Sequence, residues 1–275
     1  MLNAQQIAQF NRDGFLAGGL VLSKEQVGKM QAEVLRVIAD RERTDVVQPN
    51  RVSSLLPPGA MGELWQIVNI WEASEVYRQV MYTPKIVEEV AQLLRASEVR
   101  CWHDQIQYKP AGTGGVNMWH QDSPYWSTLT PKDQQISAWI ALDDVDAENG
   151  CMSMIPGSHA WGVEIEFLHT LKKFDDMPAE HKGHALKPVL CPVKRGHVHY
   201  HHSLTWHGSP ENRSGRPRRA IAYHFMNEKT VFSGDGGHCC SSYVHVPAGQ
   251  KLEGEKFPAV WENGRVLPVP EAVGV

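Results

Sequence analysis

The sequence predicts an α+β chain, helical over residues 1–100 and then an antiparallel β core of sandwich or barrel type. Two observations carry this. Before residue 100, apolar residues recur at helical spacing inside capped segments; beyond it they fall into short runs bounded by Gly, Pro, Asn or Asp, as strands do. In "LSKEQVGKMQAEVLRVIAD", Ser23 followed by Gln26 reads as a capping box, and Val27, Met30, Val34, Val37 and Ile38 form one apolar face. A second helix opens at "TPKIVEEVAQLL", with Thr83 as N-cap and Pro84 at the first helical position, where its missing N–H costs nothing. Between them "RVSSLLPPGAMG" reads as a loop and "LWQIVNIW" alternates like a short strand. From residue 101 to 230, runs such as "VRCWHDQIQYKP", "ISAWIALDDV", "HVHYHHSL" and "RRAIAYHFM" predict the β core. The polar connection 161–187 is long enough to predict a lid or a disordered insertion. Without repeats, low-complexity tracts or a linker, residues 1–275 read as one domain.

Composition excludes several functions. A net charge of −4 over 275 residues offers no basic face for nucleic acid or an anionic membrane. No run approaches the length of a membrane span, and the start lacks a basic stretch followed by an apolar one, so a cytoplasmic protein is expected. Five cysteines without regular spacing argue against disulfides. His238, Cys239 and Cys240 could form a soft metal site, but no second Cys/His cluster stands at finger-like spacing to support it. The excess is in histidine: there are 14, several of them between 197 and 207.

His120 and Asp122 stand two apart in "MWHQDSPYW". In an extended strand i and i+2 share a face, so the pair could coordinate one ion, with a third ligand from a distant strand. Two His and one carboxylate leave half of an octahedral ion open, which suits a non-haem Fe(II) oxygenase. The candidates for it sit in "HVHYHHSLTWHGSPENRSGRPRRAIAYHF"; among them His207, in "WHGS", lies where an apolar run meets a turn. Eleven residues further on, Arg218 opens the next strand.

These residues, with "SAWIALDD" at 137–144, "NGCMSMIPGSH" at 149–159, "HGS" at 207–209 and an opening "FNRDGFLAGGLVLSKEQV", resemble the phytanoyl-CoA dioxygenase (PhyH) family. The resemblance implies a double-stranded β-helix (a jelly-roll, cupin-like) with the N-terminal helices on its larger sheet. It also implies an Fe(II)- and 2-oxoglutarate-dependent dioxygenase that consumes O2, hydroxylates a small molecule and releases succinate and CO2. His120, Asp122 and His207 would hold the iron. Arg218 would pair with the distal carboxylate of 2-oxoglutarate through its planar fork, Ser209 would add a hydroxyl, and Gln105 and Trp139 would flank the co-substrate. Asp122 favours hydroxylation over halogenation, since related halogenases lack this carboxylate; desaturation, epoxidation and cyclisation remain open.

Arg218 shares strand parity with Ala220 and Ala222, which leave room for a co-substrate, whereas Arg219 shares it with Ile221, Tyr223 and Phe225. Tyr125, Trp126 and Trp71 are candidates for the substrate walls, with core packing as the competing reading; Trp65 is read in the same way as Trp71. The aromatic neighbourhood predicts a largely apolar substrate, natural-product or lipid-like. No basic cluster fits a coenzyme A tail, so a free molecule is favoured over a thioester. His202 reads as a hydrogen-bonded core residue in preference to a partner of the ligands; His197 and His199 receive no role. The competing functions are a cupin-like metal enzyme without 2-oxoglutarate, which would not need Arg218 or Ser209, and a non-catalytic ligand-binding barrel, which would not need the triad.

Overall fold

A computed structural model describes residues 1–270 except 55 and 58. Its helices follow local signals. Ala4–Asp13 is capped by a reciprocal Asn3/Gln6 box and ends at Gly14, whose φ of 81° suits a residue without a Cβ. Lys24–Ala39 starts at the Ser23/Gln26 box, and Pro84–Leu94 begins with its proline.

Eight antiparallel strands are then shared between two sheets. The larger sheet carries Glu98–Lys109, Gln135–Ala141, His197–His202 and Arg218–Asn227, with Arg218–Asn227 between the first two of these. The smaller carries Asn117–His120, Met152–Met154, Val189–Cys191 and His207–Ser209. This is the double-stranded β-helix, in which two sheets enclose a space open at one end. Phe15–Leu20 extends one edge of the larger sheet; Trp65–Val68 and Ala259–Glu262 share the other side of Glu98–Lys109.

Alternation along these strands divides the side chains between two environments. Ile106, Ile136, Ala138, Ile140, Val198, Tyr200, Ile221, Tyr223 and Phe225 face the helices, meeting Met30, Val34, Tyr77, Ile86 and Val90 in the main core. The opposite parity lines the β-helix interior.

Three local expectations are corrected. "RVSS", read as loop, is the strand Arg51–Ser54, paired with Trp65–Val68. "LWQIVNIW" is a strand only as far as Val68: Asn69 adopts φ 58°, and Ile70–Ala73 turns helical. The 161–187 connection is ordered rather than a structureless insertion. It contains the helix Ile165–Leu168 and the hairpin Glu180–His181/His184–Ala185. Trp161, Phe167, Leu168, Phe174 and Leu186 pack over Trp119 and Trp206, apolar area that water would otherwise meet.

The short helix Ile70–Ala73 takes its cap from a neighbouring strand. The fully buried Asp104 accepts the Ile70 N–H (2.8 Å) on one oxygen and the Trp71 N–H (3.2 Å) on the other. An Asp104→Ala chain strands both amides, at roughly 1–3 kcal/mol each. It is expected to show a clearly lowered melting temperature by calorimetry; an unchanged one would mean that water replaces the carboxylate.

Candidate active site

The smaller sheet brings two distant histidines together: His207 and His120 are directly opposed partners of adjacent strands. Asp122 joins them by a route that strand alternation does not describe. The strand ends at His120, and Asp122 takes right-handed helical angles (φ −72°, ψ −54°) at the start of the 3-10 turn Ser123–Tyr125. The N–H groups of Asp122 and Ser123 both donate to the Ser203 carbonyl at 3.0 Å, and the buried Gln121 amide donates to Leu204 O (2.8 Å). The chain is thereby folded back, and Asp122 Oδ1 comes within 3.7 Å of His120 Nε2 and 3.6 Å of His207 Nε2.

Each imidazole is fixed by its other nitrogen. His120 Nδ1 lies 2.7 Å from Met118 O and His207 Nδ1 lies 2.9 Å from Thr205 O. A carbonyl only accepts, so both Nδ1 atoms carry protons and both Nε2 lone pairs face the gap. Burial pushes both rings below the ordinary histidine range, keeping them neutral and able to ligate. Burial acts on Asp122 in the opposite sense, raising it, but His207, His201 and His224 together outweigh this and hold it well below the usual carboxylate range. The result is two neutral nitrogens and one carboxylate oxygen converging on one point, a donor set that fits a facial metal site.

Asp122 is itself held. Its Oδ2 accepts from Ser137 Oγ (2.8 Å) and from His201 Nε2 (3.1 Å), leaving Oδ1 turned to the gap. Because Ser137 spends its single proton on Asp122, His224 Nδ1 must be the donor in their 2.7 Å contact. Such outer partners orient ligands and tune their basicity. The sequence reading missed all three, although a signal existed: Ser137 shares parity with Trp139, and His224 with Arg218 and Ala222. His202 instead bonds Asp133 O (3.2 Å) and accepts the Leu204 N–H (3.1 Å), a structural pairing.

Beyond the triad lies a buried arginine without partners. Arg218 is completely buried, and its Nε, Nη1 and Nη2 make no hydrogen bond among the described residues. Its guanidinium stands 5.1 Å from the centre of the Trp139 ring, and burial pushes it down to about 10, still protonated at neutral pH. Arg219 faces the helices, where Asp143 clamps it with bonds of 2.9 and 2.7 Å. Of the two neighbours, Arg218 is thus the one with donors to spare. A buried, unpaired guanidinium is costly unless an anion meets it, so the site fits a carboxylate.

A cavity of about 680 Å3 contains the triad and is also lined by Gln105, Trp139, Ser209, Tyr125 and Trp126. Tyr125 stands half exposed, its hydroxyl 2.7 Å from His169 Nε2 of the 161–187 segment. Trp71 does not reach the cavity. The helical turn after Asn69 breaks the strand alternation and sends its ring into the core, 5.4 Å from Arg78. Trp65 is turned away as well, 5.6 Å from Arg41. The walls are more polar than the aromatic residues suggested: Gln66, Gln107, Asn117 and Arg51 line the cavity together with Trp126, Leu168 and Leu171. His238 and Cys239 sit on the lining, and with Cys240 form a second compact donor group.

Comparison with known proteins agrees with this architecture. The phytanoyl-CoA dioxygenase domain-containing protein 1 of Danio rerio is 31% identical over 163 residues, 58% of this chain and 55% of that one. The chain therefore spans about half the length of this relative. The ectoine dioxygenase of Bordetella bronchiseptica is 26% identical over 242 residues, 80% of this chain and 74% of that one. Among solved structures, the epimerase SnoN in complex with Fe3+, alpha ketoglutarate and nogalamycin RO superposes with a TM-score of 0.71 at 21% identity, covering 93% of this chain and 97% of that one. The family model for phytanoyl-CoA dioxygenase (PhyH) matches residues 10–220, well over half of the sequence, and the chain belongs to that family.

Proposed function

We propose that the chain is a non-haem Fe(II)- and 2-oxoglutarate-dependent dioxygenase that hydroxylates a C–H bond of a small molecule and releases succinate and CO2. The observation that carries this reading is the pairing of a convergent His-Asp-His set with a fully buried arginine whose three nitrogens have no partner. His120, Asp122 and His207 would hold the iron; Arg218 and Ser209 would receive the distal carboxylate, with Trp139 and Gln105 at its flanks. When bound, the iron and 2-oxoglutarate supply the oxidising chemistry, using O2.

The protein's own residues position and protect. The Nδ1 bonds to Met118 and Thr205 keep both imidazoles aimed before any ligand arrives, and Ser137 and His201 do the same for Asp122. The packed interior around Phe15, Trp139, Met152 and Ala222 excludes water from the inner end. The amides of Gln66, Gln107 and Asn117 with the ring of Trp126 suit a small molecule that carries hydrogen-bonding groups on one side and an apolar face on the other. Five unpaired cysteines are in keeping with action in a reducing cytoplasm, and among the described residues no helix is long and apolar enough to cross a membrane.

The test is an anaerobic titration of metal-free protein with Fe(II) and 2-oxoglutarate, following the visible band of the chelate. The band is expected in the wild type and should be absent from His207→Ala. Iron binding without a band would remove 2-oxoglutarate from the reading and favour a cupin-like metal enzyme.

A further inference from the structure

The larger sheet continues past Gln105 into a second polar corner of the cavity. Directly opposed residues share a face of a sheet, and across these strands Trp139, Ala222, Gln105, Val68 and Arg51 form one such row. Four steps of ~4.8 Å put Arg51 roughly 19 Å from Trp139, remote from the pocket proposed for 2-oxoglutarate. Among the described residues that line the cavity, Arg51 is the one lysine or arginine, and its side chain has no ion-pair or hydrogen-bond partner among the described residues. Its neighbour Asn50 donates through Nδ2 to Cys239 O (3.4 Å), which ties the edge strand to the 3-10 turn Cys239–Tyr243. At the start of that turn the Cys240 N–H donates to His238 Nδ1 (3.2 Å). The neutral His238 ring therefore carries its proton on Nε2, and this N–H has no acceptor among the described residues. Gln107 Oε1 accepts from Asn117 (2.7 Å), so its NH2 is the end left free, and Gln66 stands directly opposite it. The carboxylates of this corner are engaged elsewhere: Glu72 with Lys256 and Asn69, and Asp235 with the Gly237 N–H (2.9 Å).

We propose that this corner is an anion subsite, and that the molecule to be oxidised carries a carboxylate held there by Arg51 and His238. The balance of donors argues for it. Arg51, His238 and Gln107 all bring free N–H groups to the cavity wall, while Asp122, the carboxylate on the lining, belongs to the metal set. A planar guanidinium matches a carboxylate in two parallel bonds, and an unpaired cation at the wall draws anions in and turns other cations away. Trp126, Leu168 and Leu171 line the same cavity and supply the apolar stretch. The substrate class is thus an apolar body with a carboxylate at the end remote from the carbon that reaches the triad. This inference rests on the dioxygenase reading and adds to it the charge of the substrate.

The test uses the anaerobic protein saturated with Fe(II) and 2-oxoglutarate, so that the Arg218 end is filled before the probes arrive. The probes are aryl and alkyl carboxylates, from 3-phenylpropionate to dodecanoate, each matched with its neutral primary amide. Calorimetry gives each dissociation constant. At least one acid is expected to bind the wild type roughly tenfold more tightly than its amide, the low end for a hydrogen bond to a charged group, because Arg51 is exposed. Arg51→Gln should abolish that preference by weakening the acid, with the amide, iron and 2-oxoglutarate bound as before. Arg41→Gln is the control: it removes the same charge from a side chain that stands over Trp65, outside the cavity, and should keep the preference. Equal loss in both variants would reduce the effect to overall charge and overturn the proposal. A preference that survives Arg51→Gln, or no acid bound more tightly than its amide in any pair, would overturn it too, while leaving the dioxygenase reading intact. An Fe(II) protein that forms no chelate with 2-oxoglutarate would remove that reading, and this inference with it.

Discussion

Arg218→Met is expected to bind 2-oxoglutarate about 10- to 150-fold more weakly than the wild type and to unfold at a higher temperature. The two effects have one cause. In the proposed complex Arg218 supplies charge-assisted bonds to a carboxylate, and a hydrogen bond to a charged group contributes about 1.5–3 kcal/mol. Without the ligand, the same guanidinium is fully buried, Nε, Nη1 and Nη2 have no hydrogen-bond partner among the described residues, and the face of Trp139 stands 5.1 Å from it. Replacing buried charge with an apolar side chain of similar length removes that desolvation cost, an exchange that in other proteins has been neutral or stabilising by about 1–4 kcal/mol. Methionine also suits a strand face whose next members are Ala220 and Ala222, both in the apolar cluster with Trp139. Scanning calorimetry of both proteins without ligand, and titration of both with 2-oxoglutarate, check the two halves independently. A variant that is destabilised would show that Arg218 has a structural partner. One that binds 2-oxoglutarate normally would move the anchoring role elsewhere, and Arg219 is a poor candidate because Asp143 already neutralises it.

The parts of this chain that could be read from sequence are those fixed by near neighbours. Ser23 with Gln26 and the proline at position 84 mark helix starts within a single turn, and both helices begin there. Arg51–Ser54 could not be read in that way. It becomes a strand because Trp65–Val68 is already docked on Glu98–Lys109 and offers a free edge. The approach of Asp122 to His120 was anticipated for the wrong reason: a turn anchored on Ser203, some eighty residues distant in sequence, replaces strand alternation. Trp71 misled because Asn69 leaves the strand, after which parity no longer says which way a side chain faces. Parity did hold in the long strands. Counting by twos from Trp139, Arg218 and Gln105 reaches Ser137, His224, Gln107 and Lys109, all of them interior, so two of the three residues that hold Asp122, Ser137 and His224, stand in the pattern. Order in the 161–187 segment was not legible because its apolar residues are spaced irregularly; they pack onto Trp119 and Trp206 instead of forming a stripe of their own.

Asp122→Ala is expected to abolish turnover and to lower iron affinity by more than ~100-fold, beyond the ~10–100-fold that loss of an outer partner costs. Among the described residues that line the cavity, Asp122 is the one carboxylate. Without it a divalent ion would meet two neutral imidazoles and no protein anion, in surroundings where Arg218 is already positive. The loss spreads outward, since Ser137 Oγ–H and His201 Nε2–H both give up their acceptor, and the Nδ1 of His201 has no partner to begin with. Ser137→Ala separates the two contributions. It leaves Asp122 in place but frees its Oδ2 from one of two restraints, so iron affinity should fall by the smaller factor, with turnover recovered at high iron. Metal content after anaerobic dialysis, together with succinate formed per O2 consumed, distinguishes these outcomes. Full hydroxylating activity in Asp122→Ala would mean that the carboxylate is not a ligand and that the convergence at His120 and His207 serves some other ion geometry. Equal loss in both variants would instead place the controlling interaction at Ser137, with its links to Asp122 and His224.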